Sequence, residues 1–262
     1  KLTKKGGNII YDNDISQSKI LKKICIKKKL SPLTIGKNSN LTISKHEYIR
    51  NLQKVEIKFN KKKYSFTTNL IGKIQIKNLL FSILAASKSK IKFEKIIKSI
   101  NHIKPVDGRL ENIGKIKNNS KVILDYAHTP DALRYTLESL KEQFSQSSIS
   151  IVFGCGGNRD KGKRKKMGRI AKLYANRIYI TDDNPRFEDS SKIRQSILRY
   201  CKNDAIEIPE RKKAIIRAIN DLKKNEILII AGKGHENFQI IKDISYPLDD
   251  YKVAIKVLKK KL

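Results

Sequence analysis

The sequence predicts an α/β fold: a Rossmann-like, mostly parallel sheet with helices on both faces, preceded by part of a second α/β domain. Three observations predict it. From about residue 106, short Val/Ile/Leu runs alternate with amphipathic helical stretches, the pattern of a parallel sheet covered on both sides. Residues 1–70 instead alternate short apolar runs with Lys-rich turns, mostly at the two-residue period of strands. The unusual polar segments all follow the expected strands of the second part, and open α/β sheets bind ligands at the carboxyl ends of their strands.

In residues 1–105, strands are expected at 8–11, 24–26, 55–59 and 64–67. A helix is expected at 75–89 from its apolar spacing, and a second at 93–103 that Pro105 stops. Beyond 106, residues 122–125 read as a buried strand. Thr129-Pro130-Asp131 then reads as a helix start, with Thr as N-cap, Pro at the first helical position and an acid in the first turn. That helix runs to about 144. Strands follow at 149–153, 178–181, 205–208 and 227–231, with helices at 165–174, 190–201, 209–222 and 249–259.

Composition narrows the function classes. At 262 residues the chain can bury one large core or two modest ones. No apolar run reaches eighteen residues, so no membrane-spanning segment is expected, and no signal peptide is recognisable after Lys1. A start without Met, inside a structural pattern, suggests a piece of a longer protein. Cys25, Cys155 and Cys201 are odd in number and widely separated, which fits a reducing cytoplasm rather than a disulfide framework. His46, His102, His128 and His235 are too scattered to suggest a zinc site.

The net charge of +33 invites a nucleic-acid reading. Only 12 of the 58 basic residues are Arg, however, and the Lys excess is spread over the whole chain along with abundant Ile and Asn, as A/T-rich coding favours. Trp is absent and aromatics are 7%, so the aromatic interleaving of a nucleic-acid surface is missing. A solvated Lys coat is the simpler reading, with no specific nucleic-acid partner.

Four strand-end loops carry the candidate chemistry. They are Tyr126-Ala-His128-Thr-Pro-Asp131, the Gly154–Arg164 stretch GCGGNRDKGKR, Asp182-Asp183-Asn184-Pro185-Arg186, and Gly232-Lys233-Gly234-His235-Glu236. Singly, each has a bland reading as a tight turn or a solvated face. Together on one rim they suit a small zwitterion. Arg159 and Arg186 each offer a planar pair of donors to a carboxylate, Asn184 adds a donor and an acceptor, and Pro185 stiffens its loop. Glu236 offers a countercharge to an ammonium group, and Gly232 and Gly234 allow close approach. Two guanidiniums and a carboxylate match a ligand with two carboxylates and two amines. No residue reads as a covalent nucleophile. Cys155 lies in the right loop, but a structural part suits it better.

At these residues the chain resembles the C-terminal domain of the Mur ligase family, through PVDGRLE (105–111), DYAHTPDAL (125–133), FGCGGNRDKGKR (153–164), TDDNPR (181–186) and AGKGHE (231–236). The DNPR segment is similar to the signature of members that add meso-diaminopimelate. The resemblance is strong over 106–262 and weaker over 1–105, which would be the latter part of a central ATP-binding domain. It implies an ATP-dependent amide ligase of peptidoglycan synthesis, working through an acyl phosphate on UDP-MurNAc-L-Ala-D-Glu (UDP-N-acetylmuramoyl-L-Ala-D-Glu) in the cytoplasm. A monomer is expected.

Carried over position by position, the resemblance implies that Arg159, Asp183, Asn184, Pro185, Arg186, Gly232 and Glu236 hold meso-diaminopimelate. It implies ATP contacts at Asn78, Arg109, Asp125 and His128; the bland alternatives are a strand-end cap for Asp125 and a turn hydrogen bond for His128. The chain departs from the family in two ways. It has no GxxxxGK[ST] phosphate loop, and Gln75 replaces the first Asn of the family's GxFNxxN pattern, which leaves Asn78 as the adenine candidate. The magnesium ligands are expected upstream of this sequence, so the chain alone is expected to be inactive. Rival readings are a lysine-adding or folylpolyglutamate synthase-like ligase, or a basic nucleic-acid-binding module.

Overall fold

The first and the second part of the chain each bury hydrophobic residues of their own. The computed structural model describes residues 3–201 and 203–261, and it separates into one compact unit at Lys1–Lys104 and another at Pro105–Leu262.

The first unit comprises β1 (Asn8–Asp12), α1 (Ser18–Lys27), β2 (Ser31–Ile35), β3 (Leu41–Ile49), β4 (Leu52–Phe59), β5 (Lys62–Thr68), α2 (Lys73–Ala86) and α3 (Phe93–Ser99), followed by a 3-10 turn at Ile100–His102. The sheet order is β1-β2-β3-β4-β5. β1 and β2 are parallel, whereas β3, β4 and β5 form an antiparallel meander. Its two hairpins turn at Arg50-Asn51 and Asn60-Lys61, both pairs with positive φ, the backbone that matches the twist of flanking strands. Val55, Ile57 and Phe66 of the sheet pack with Leu79, Leu80, Ile83 and Leu84 of α2.

The strand expected at 24–26 is instead the end of α1. Ile24 and Ile26 mimic strand alternation, but both are exposed and only Cys25 is buried. The inward positions are spaced four apart, at Leu21 and Cys25, which is helical spacing. β2 and β3 fall within the 1–70 stretch of strand period but outside the four runs singled out there, and the helix expected through 103 breaks into α3 and the 3-10 turn.

The second unit comprises β6 (Glu111–Lys115), β7 (Lys121–Asp125), α4 (Pro130–Gln143), β8 (Ile149–Phe153), α5 (Gly162–Tyr174), β9 (Arg177–Ile180), α6 (Ser190–Leu198), β10 (Ile206–Glu207), α7 (Arg211–Asn220), β11 (Ile227–Ala231), β12 (Phe238–Ile241), β13 (Ile244–Pro247) and α8 (Asp250–Leu258). The main sheet runs β10-β9-β8-β11-β7-β6. Its pairings are parallel except for β6, which runs antiparallel along β7. Both β8 and β11 are buried at every residue, because each face carries helices. Val122, Leu124, Val152, Leu228 and Ile230 face α7 and α8, packing on Ala214, Ile215, Ile219, Ala254 and Leu258. The alternate residues Ile123, Ile151 and Ile229 point to the other face and are equally buried.

This order places the carboxyl ends of β7, β8, β9 and β11 along one rim, with β11 inserted between β7 and β8. The four Gly- and Asp-rich loops therefore converge although they are spread over more than a hundred residues of sequence. β12 and β13 form a separate antiparallel hairpin after the β11 loop, again where no strand was expected.

Candidate functional site

A cleft of about 560 Å³ opens where those loops meet. Its walls are Tyr126, His128, Thr129 and Pro130 from the β7 loop, Gly154, Gly156, Arg159, Asp160 and Lys163 from the β8 loop, Asp183, Asn184 and Arg186 from the β9 loop, and Gly232 and Glu236 from the β11 loop. Three cationic side chains (Arg159, Lys163, Arg186) thus face three carboxylates (Asp160, Asp183, Glu236).

Local sequence explains how the loops hold this shape. Thr129 Oγ1 accepts the Ala132 N–H and Pro130 occupies the first turn, so α4 starts where its N-cap chemistry demands. Asp160 Oδ1 accepts the Gly162 N–H at 2.8 Å and so closes the start of α5. The β8 and β9 loops press backbone against backbone: a Cβ on Gly154 would lie 2.3 Å from the Thr181 carbonyl oxygen, and one on Gly157 2.0 Å from that of Pro185. Gly232 has φ +114°, and a Cβ there would crowd the Asp183 carboxylate at 3.2 Å.

Arg186 does more than line the cleft. Its backbone sits at φ 52°. Its N–H donates to the Ile240 carbonyl and its own carbonyl accepts from Lys242, so the β9 loop bridges to the hairpin at Ile241. Nη1 donates to the Gly157 carbonyl at 2.9 Å and, at 3.4 Å, to that of Asn184. One edge of the guanidinium therefore organises the two loops, which leaves Nε and Nη2 as its other donors. Arg159, by contrast, is exposed. Asn184 is buried, its Oδ1 accepting from Lys233 Nζ at 3.1 Å and from the Ile240 N–H at 2.9 Å. Asp183 Oδ1 accepts the Asn184 N–H, and Gln239 Nε2 donates to the Asp183 carbonyl. Pro185 is buried behind the cleft wall against Gly157.

Glu236 accepts from Tyr126 Oη at 3.2 Å and from Lys233 Nζ at 3.3 Å. Burial, and then the Glu236 charge, push the Tyr126 hydroxyl above its usual range, so it stays a donor. Arg109 lies over the Tyr126 ring at 4.3 Å, and the His128 ring meets that same ring edge-on. His128 Nδ1 lies 2.9 Å from the Tyr126 carbonyl, the turn contact that its bland reading anticipates.

Asp125 does not line the cleft. Its carboxylate is buried and takes the Leu110 N–H at 3.2 Å and the Thr136 hydroxyl at 2.5 Å. Burial raises its pKa against the lowering effect of those bonds. Both carboxylate oxygens are thus engaged within the fold. Asn78 belongs to the first unit, exposed on α2. Cys155 is buried beside Met167, and burial pushes its thiol up to about 12, so it remains protonated and inert.

Sequence reasoning missed Tyr126, Lys163 and Lys233. Tyr126 and Lys163 lie inside the motifs already singled out; the burial of Lys233 has no sequence signal. Also missed is Glu188, which accepts the Asn158 N–H at 2.6 Å and Arg164 Nη2 at 2.9 Å and so pins the β8 loop to the residues after DNPR. Burial opposes its ionisation, but the Arg164 and Asn158 bonds prevail and hold its pKa below the ordinary value.

Comparison with known proteins finds relatives of both units. Residues 108–234 match the Mur ligase, glutamate ligase domain. The chain is 42% identical over 255 residues to the UDP-N-acetylmuramoyl-L-alanyl-D-glutamate--2,6-diaminopimelate ligase of Rickettsia felis, covering 97% of this chain and 47% of that protein. To the ligase of the same name from Chelativorans sp. it is 35% identical, covering 99% and 54%. A solved structure of a ligase of that name superposes with a TM-score of 0.69 at 26% identity, over 97% of this chain and 53% of the other. The folylpolyglutamate synthase of Thermotoga maritima shares the fold, with a TM-score of 0.70 at 17% identity over 98% and 55%. The chain spans about half the length of the curated relatives it matches. Over residues 108–234 the chain carries a glutamate ligase domain of the Mur ligase family.

Proposed function

We propose that this chain holds the incoming amino acid for an ATP-dependent ligase that adds meso-diaminopimelate to UDP-N-acetylmuramoyl-L-Ala-D-Glu, a cytoplasmic step of peptidoglycan synthesis. One observation carries the reading: a single cleft sets the Arg159 and Arg186 guanidiniums among the Asp183 and Glu236 carboxylates. Meso-diaminopimelate has two carboxylates and two ammonium groups. Arg159 and the remaining donors of Arg186 suit the first pair; Glu236 and Asp183 suit the second.

ATP would phosphorylate the D-Glu γ-carboxylate and leave as ADP; the diaminopimelate ammonium, after losing one proton to solvent, would attack the acyl carbon, expel phosphate and lose a second proton to give the amide. The side chains of the cleft contribute by positioning: they fix the amine so that its lone pair meets the acyl carbon. Arg109 (over Tyr126), Asp125 and His128 are the residues of this unit proposed to meet the nucleotide. Mg²⁺ belongs to the proposed reaction. Among the described residues no group of three or more His, Cys, Asp or Glu is placed to hold a metal ion, so no residue here is assigned to it. Among the same residues no helix is long and apolar enough to cross a membrane.

Calorimetric titration of the chain with meso-diaminopimelate, L-lysine and L-glutamate tests the reading. Binding of meso-diaminopimelate with clear loss of affinity for L-lysine is expected, because L-lysine leaves one guanidinium without a carboxylate. Equal affinity for L-lysine would overturn the specificity, and preference for L-glutamate would favour a folylpolyglutamate synthase-like role.

A further inference from the structure

Lys233 is fully buried, yet it sits in the middle of the candidate site. Its flanking glycines both have positive φ, at 114° and 53°, so the chain turns the lysine inward while Gly232 lines the cleft. Its Nζ meets Asn184 Oδ1 at 3.1 Å and Glu236 Oε2 at 3.3 Å, and lies 5.7 Å from the centre of the Phe238 ring. Both hydrogen-bond partners line the cleft, whereas Lys233 does not.

Burying an ammonium group is a poor route to stability, because a well-packed apolar side chain is often as good or better. What the ammonium supplies is direction. Asn184 Oδ1 also accepts the Ile240 N–H at 2.9 Å, which makes it the shared acceptor of two donors. That arrangement fixes the amide plane, with oxygen inward and Nδ2 as the remaining donor. Glu236 is held by Lys233 on one oxygen and Tyr126 on the other, so its carboxylate cannot swing across the cleft.

We propose that Lys233 is a positioning residue for recognition of the acceptor amino acid: it presets Asn184 and Glu236 from behind the cleft and never touches the ligand. The inference rests on the proposed role of the cleft, and it extends that role to a side chain outside the ligand's reach.

The test uses the 262-residue chain and Lys233→Met, with folding checked by thermal melting. Amide exchange measured by NMR reads Asn184 directly, through the Ile240 N–H that it accepts. The expected result is about tenfold faster exchange at Ile240, the size of one lost hydrogen bond, with the Lys252 amide at the start of α8 unchanged. Unchanged Ile240 exchange in a folded variant overturns the inference. Titration with meso-diaminopimelate should show affinity down about tenfold or more; equal affinity in both proteins also overturns it. If the wild type binds no meso-diaminopimelate, the reading of the cleft fails, while Ile240 exchange still decides whether Lys233 positions Asn184. Should Lys233→Met not fold, the wild type decides: nuclear Overhauser contacts from the Lys233 ammonium to Asn184 and Glu236 are expected, and a freely exchanging ammonium without them refutes the proposal.

Discussion

Arg211 and Asp250 form a fully enclosed ion pair, with both side chains at 0% exposure. Arg211 Nε lies 2.9 Å from Oδ1, and Nη2 donates to Oδ2 at 2.7 Å and to the Ala231 carbonyl at 3.0 Å. Arg211 opens α7, Asp250 opens α8, and Ala231 ends β11 just before the Gly232–Glu236 loop. The pair therefore anchors one wall of the cleft from below. Replacing one partner, as in Asp250→Leu, strands a buried guanidinium and should cost about 3–5 kcal/mol. The double variant Arg211→Met/Asp250→Leu should recover much of that loss. Urea unfolding of the three proteins measures it, and a double variant no better than the single one would contradict this account.

Arg186→Ala should weaken meso-diaminopimelate binding by about 2–3 kcal/mol, the scale of a charge-assisted hydrogen bond. Arg186→Lys should not restore it, because an ammonium cannot hold the Gly157 carbonyl and present a planar donor pair together. Titration calorimetry measures both, and wild-type affinity in either variant removes Arg186 from the site.

Gly157→Ala introduces a methyl 2.0 Å from the Pro185 carbonyl oxygen, backbone against backbone. The β8 and β9 loops must part, so ligand affinity should fall even though no ligand-facing group is altered. A crystal structure with both loops in place and affinity unchanged would show that the crowding is harmless.

Tyr179 predicts an alkaline limb to stability. Its hydroxyl donates to Asp221 Oδ2 at 2.8 Å, and burial first, then that bond, push its pKa up to about 12. A proton held more tightly in the folded state contributes stability below the unfolded value near 10, and this is lost as pH rises to about 12. The difference in unfolding free energy between wild type and Tyr179→Phe should therefore shrink across pH 10–12. A difference that stays constant over that window rules out the linkage.

Much of the second unit was legible because its strands are continuous apolar runs ended by glycine or acid. β8 and β11 have the expected bounds at 149–153 and 227–231. The helix expected from 190 to 201 ends as α6 at Leu198, and the strand expected at 205–208 shrinks to Ile206–Glu207. β12 and β13 gave no signal because no residue of either is buried, and strand periodicity is written by burial. The same cause hid the support of the site. The residues lining the cleft are polar at strand ends and stand out, whereas Lys233 and Arg211 are indistinguishable from solvated charges until their neighbours are known.

The bridge between Arg186 and the β12–β13 hairpin carries a consequence for transplanting acceptor choice. Asp183, Asn184 and Arg186 all take backbone or side-chain bonds from residues 239–242. A DNPR loop grafted onto a homologous scaffold without that hairpin would arrive with its asparagine unclamped and its arginine free to leave the left-handed backbone region. If the cleft holds the acceptor as proposed, its preference is inherited as two distant segments of chain, and a redesign that swaps only one should yield a folded protein with blunted selectivity.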